Sequence, residues 1–105
     1  MGGGLGIYIS MIALVHTDMN KREILGSLSH HIVFADGFDD ALIGYVTILN
    51  RLIVVYDRRK CVSILMERDN MSEEDADEFM SYNVEGAYVD EQTPAFFTRI
   101  EDVEV

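Results

Sequence analysis

Residues 41–57 read ALIGYVTILNRLIVVYD, and this stretch decides the fold. Ala41–Leu49 and Leu52–Tyr56 are apolar runs rich in β-branched and aromatic residues, the composition of strands. Only Asn50 and Arg51 separate them, and Asn tolerates the positive φ of a tight turn. The stretch therefore predicts an antiparallel hairpin. Asp57 ends it and can cap a helix, because its carboxylate can accept from the free amides of a first turn.

Downstream, RRKCVSILMERD gives a helix from Arg58 to about Arg68, with Arg58, Cys61, Val62 and Leu65 on one face by their three-and-four spacing. Ser72 opens a second helix, SEEDADEFMSYNV, whose first turn carries Glu73, Glu74 and Asp75, where the macrodipole favours acids. Ala76, Phe79, Met80, Asn83 and Val84 form its expected inward stripe. Asp77, Glu78 and Ser81 lie away from it, and Gly86 is the stop. Upstream, Asn20 can cap a helix over Lys21–Leu28, and Ile32–Ala35 reads as a further strand. Ala95–Ile100 reads as the last.

The expected class is α+β: a small antiparallel sheet of three or four strands with helices packed on one face. Residues 19–100 form the expected domain. Residues 1–18 read as an N-terminal extension, either flexible or an added strand over Ile7–Val15, and residues 101–105 as a frayed acidic tail.

The chain has 105 residues and a formal net charge of −11. Met1–Met66 hold six acids and six bases, whereas Glu67–Val105 hold 13 acids against Arg68 and Arg99 alone. Such a chain has no basic stripe for phosphates, so direct nucleic-acid binding and an anionic membrane surface are disfavoured. The apolar run Leu5–Val15 is shorter than the roughly 20 residues a membrane helix needs. One cysteine, Cys61, cannot form an internal disulfide, which suits a reducing cytoplasm. Cys61 also sits near an expected helix start. The phosphate-loop spacing that would make it a nucleophile fails, because position 67 is Glu67 and the arginine is Arg68. A core cysteine is the expectation.

FADGFDDALIG, residues 34–44, crowds Asp36, Asp39 and Asp40 together. A calcium loop needs oxygens at alternate positions and a glutamate at the twelfth, and here an apolar strand follows instead. A turn is expected, with Asp and Gly supplying its special backbone angles. His30 and His31 are neighbours rather than a zinc-binding pair spaced along a helix. No metal and no cofactor is expected, and no catalytic residue is assigned. The competing reading is a small enzyme, or a small-ligand or metal binder, built on Asp36, Asp39, Asp40 and Asp57 with His30 or His31.

Glu74, Asp77, Glu78 and Glu85 form a ridge on the second helix, and Asp90 and Glu91 extend it. These six are the expected partner-binding residues. Such a ridge can imitate phosphate spacing and occupy a basic groove; it can also be no more than a solvated helix face.

Three segments together, GFDDALIG, VYDRRKC and ILMERDNMSEEDADEFMSYNVEGAYVDEQTPAFF, resemble a family of small proteins found in bacteriophage genomes. The resemblance covers about Ile32–Phe97 and leaves residues 1–18 outside. It implies a phage or prophage setting and action in the host cytoplasm during infection, and it supplies no catalytic residue. The expected function is a non-enzymatic interaction protein that binds and inhibits or redirects a host complex with a basic surface, as an anti-defence inhibitor would. A homodimer is a further expectation.

Overall fold

A computed structural model describes residues 20–103. The chain divides into two compact units, residues 1–30 and 31–105. The expected extension over residues 1–18, with its added strand, lies outside the described residues.

In the first unit, helix α1 spans Lys21–Gly26. A capping box starts it: the Asn20 carboxamide oxygen accepts from the Glu23 amide at 2.9 Å, and the Glu23 carboxylate accepts from the Asn20 amide at 3.0 Å. Two orphan donors are thereby satisfied reciprocally.

The second unit is α+β and holds a three-stranded sheet in the order β1-β2-β3. Strand β1 spans Leu42–Ile48 and β2 spans Arg51–Asp57, antiparallel, with Ile48 opposite Arg51. The turn is thus Leu49-Asn50, one residue earlier than the expected Asn50-Arg51. Leu49 has φ 51° and Asn50 φ 66°. Two consecutive left-handed residues match the twist of a two-residue hairpin, and the register forces Leu49 into a conformation that a leucine pays for sterically.

Strand β3, Ala95–Phe97, lies beside β2 in parallel, so the sheet is mixed rather than purely antiparallel. The connection explains this. The chain passes through two helices before returning, which is long enough to restart a strand in the same direction. Residues 32–35 form no strand, contrary to expectation. β1 takes one edge of β2, and β3 takes Val55–Asp57 of the other. The Ala35 amide donates instead to the buried Tyr56 hydroxyl at 2.8 Å.

Helix α2, Arg58–Arg68, follows β2 directly. Its N-cap is Asp57, whose carboxylate accepts from the amides of Arg59 and Lys60 at 3.1 and 3.3 Å. Asn70 ends the helix region at φ 58°, the left-handed position that asparagine tolerates after a helix. Helix α3, Glu73–Phe79, is capped by Ser72 and continues as a π-helical turn, Met80–Val84. Helix α2 packs on β2 and α3 packs on α2. Leu42, Val54, Tyr56, Cys61, Leu65, Ala76 and Met80 are all at 0% exposure and form the core. Asn83, expected in the inward stripe, is exposed, because the π turn rotates the residues that follow Met80. Gly86 does not need a positive φ; it is required by close approach, since a Cβ there would lie 3.0 Å from the Tyr82 carbonyl oxygen. Phe97 ends β3 short of the expected Ile100, and Ile100–Asp102 forms one 3-10 turn.

Candidate functional site

The turn in FADGFDDALIG is built around Gly37, at φ 92°. Arg68 of α2 holds it: the guanidinium donates to the Gly37 carbonyl at 2.8 Å and lies over the Phe38 ring, 5.6 Å from its centroid. A Cβ on Gly37 would meet the far end of that guanidinium at 2.9 Å, which the arginine can relieve by shifting; it is the backbone angle that requires glycine. Asp39–Ala41 then forms a single 3-10 turn leading into β1.

The register places that turn at the same end of the sheet as Asp57, because Leu42 pairs with Tyr56. The Asp57 carboxylate is committed to the α2 cap and to Arg99, 3.5 Å away. Among the described residues, no group of three His, Cys, Asp or Glu side chains is arranged to hold a metal ion. Cys61 is fully buried, and burial, with the nearby Asp57 carboxylate, pushes its thiol up to about 12. It stays protonated near neutrality and is no nucleophile.

The acids of the C-terminal third divide into two sets. Arg58 organises the first. Its side chain is 18% exposed and reaches across to α3, where it pairs with Asp77 at 2.7 Å and Glu85 at 2.9 Å. It also donates to the Asp77 carbonyl and the Ser81 hydroxyl, both at 3.2 Å. Burial pulls the guanidinium pKa down, but the bonds to Asp77 and Glu85 outweigh that and raise it. The sequence spacing placed Arg58 on an apolar face and Asp77 and Ser81 on the outside. The missed signal was that a half-buried arginine needs carboxylates, and Asp77, Ser81 and Glu85 recur every four residues.

Asp90 and Glu91 belong to the same paired set. His31 Nε2 lies 2.8 Å from Asp90 Oδ2, and Arg51 lies 2.6 Å from Glu91. The His31 contact comes first, and the Gln92 amide second, in lowering the Asp90 carboxyl below its ordinary value. Around Asp90 the loop is internally tied. The Thr93 hydroxyl accepts from the Val89 amide at 2.9 Å and donates to the Asp90 carbonyl at 2.6 Å. The Gln92 carboxamide donates to the carbonyls of His31 and Leu52 at 2.8 and 3.0 Å, which occupies the edge of β2 that the short β3 leaves open.

Glu74 and Glu78 form the second set with Glu73 and Asp75. All four are exposed on α3, and their carboxylates make no ion pair or hydrogen bond among the described residues. Arg51, Arg58, Arg68 and Arg99 pair with Glu91, with Asp77 and Glu85, with Asp69 and with Asp57 respectively, while Arg59 is exposed and lies 4.0 Å from Asp102. Beside the unpaired acids runs an open groove of about 650 Å³. Glu73, Glu74 and Asp77 line its α3 side, and Arg59, Ser63 and Met66 its α2 side.

Among the described residues no helix is long and apolar enough to cross a membrane. No family model, no curated protein and no solved structure matches the chain.

Proposed function

We propose that this chain is a non-enzymatic interaction protein that uses the acidic face of α3 and the adjoining groove to occupy a basic surface on a host complex. The observation that carries the reading is that Glu73, Glu74, Asp75 and Glu78 are exposed beside a groove with no ion pair among the described residues. Uncompensated carboxylates at fixed helical spacing project a negative field that steers and holds a cationic partner. Asp77, Glu85, Asp90 and Glu91 contribute by position: their ion pairs fix the helix and loop that present the free acids. The phage setting implied by the sequence resemblance makes a host nucleic-acid-handling complex, such as a defence nuclease, the expected target, and imitation of phosphate the mode of inhibition.

Displacement tests this. The immobilised chain is loaded with bacterial host lysate, washed, and challenged with duplex DNA or heparin. A retained host protein should be released by either polyanion, because both compete for the same basic groove. Retention that neither polyanion disturbs contradicts the mimicry.

A further inference from the structure

Helix α3 and its π turn carry two parallel rows at four-residue spacing. Asp77, Ser81 and Glu85 form the first, and Arg58 closes it. Glu74, Glu78 and Tyr82 form the second, which faces solvent. A step of four residues is close to one full turn in an α-helix and in a π-helix alike. Tyr82 therefore lies on the same side as Glu78, with their Cβ atoms about 6 Å apart. Tyr82 is 79% exposed, and neither its ring nor its hydroxyl has a partner among the described residues. An unpaired carboxylate and an unpaired ring thus stand side by side. The π turn that presents the ring is a geometry concentrated at functional sites.

The chain itself shows what fills such a pair. Arg68 donates to the Asp69 carboxylate at 3.2 Å and lies over the Phe38 ring. Arg99 lies 3.5 Å from the Asp57 carboxylate and 5.9 Å from the centroid of the Phe97 ring. In each case one guanidinium serves a carboxylate and an aromatic face together. We propose that Glu78 and Tyr82 receive an arginine of the basic partner, its N–H edge on the Glu78 carboxylate and its plane on the Tyr82 ring. Resting on α3 as the contact face, this pairing adds which cation that face takes. Charge complementarity calls for a cation along the row, and the ring selects between the two kinds. A guanidinium is planar and weakly hydrated, and it can donate from its edge while its face lies on a ring. A lysine ammonium is a compact, strongly hydrated point charge, attracted equally by Glu74 and Glu78 but obliged to give up more hydration to reach the ring.

Calorimetric titration of the full chain with hexa-arginine and with hexa-lysine, at one pH and one salt concentration, tests the pairing, because the two peptides carry the same charge. Wild type should prefer hexa-arginine. Tyr82→Ala should shrink the ratio of the two affinities by about two- to fivefold, the size of an exposed cation–ring contact. Tyr82→Phe retains a ring and should retain the ratio. So should Tyr88→Ala, which removes a similarly exposed tyrosine from the loop that follows. Equal affinity for the two peptides in wild type, or a ratio unchanged in Tyr82→Ala, overturns the arginine pairing. So does a ratio lost in Tyr82→Phe, or one reduced as much in Tyr88→Ala. The contact face is read separately, from Glu74→Lys combined with Glu78→Lys. If that variant loses both peptides while the Tyr82 results go against expectation, only the arginine pairing falls. If it binds both peptides as well as wild type does, the contact face falls and the pairing with it.

Discussion

Arg58 shows how one residue divides the acids of this chain. Its guanidinium takes two carboxylates out of the ridge and leaves Glu74 and Glu78 unopposed. Removing it strands both carboxylates and the Ser81 hydroxyl at the α2–α3 seam. Arg58→Ala should therefore cost about 1–2 kcal/mol, less than a fully buried pair because Asp77 is 59% exposed. Urea unfolding of the variant measures this. Asp90 makes a second prediction at the same scale. Its folded carboxyl lies below 3.8, the ordinary value, so the stability it adds is fully present above 3.8 and is lost as pH falls through the lower folded value. Titration followed by NMR should show the Asp90 carboxyl moving up towards 3.8 in His31→Ala, since the His31 contact is the leading cause.

At the scale of elements, the hairpin and both later helices were legible in the sequence because local chemistry specified them. Asp57 and Ser72 are N-caps in fact as in pattern, and the apolar runs on either side of Asn50 became β1 and β2. What was not legible depended on partners far away in the chain. Ile32–Ala35 has the composition of a strand, yet it joins no sheet, and the Ala35 amide is taken by the Tyr56 hydroxyl. The parallel direction of β3 follows from the route of the chain through α2 and α3, which local pattern does not encode. Gly37 was read correctly as a turn glycine, but the clamp from Arg68 was invisible, because the two residues are 31 apart in sequence. The acid ridge was legible as composition alone; which acids are neutralised depends on where Arg51 and Arg58 arrive. One element carries strain that can be relieved. Leu49 sits at φ 51° and is 81% exposed. Replacing Leu49-Asn50 by Asn-Gly, residues suited to two consecutive positive φ values, should raise stability by about 1 kcal/mol without moving the register. Thermal melting of the double variant checks it.

Across the whole molecule, charge and apolar surface are segregated. The middle of the sequence forms the uncharged strand β1, and helix α3 presents carboxylates that make no ion pair among the described residues. The second feature costs the isolated chain something, because concentrated like charge opposes folding. The acidic face is the part that the proposed function requires, and its contribution is electrostatic, so it must respond to salt and to sign. The most direct measurement is the affinity of the retained host protein against ionic strength, for wild type and for the charge-reversed pair Glu74→Lys with Glu78→Lys. The account predicts a steep loss of affinity with salt for wild type, and at least about a tenfold loss at low salt in the variant, with the melting temperature preserved. A flat salt dependence, or a variant that binds as well as wild type, would contradict it.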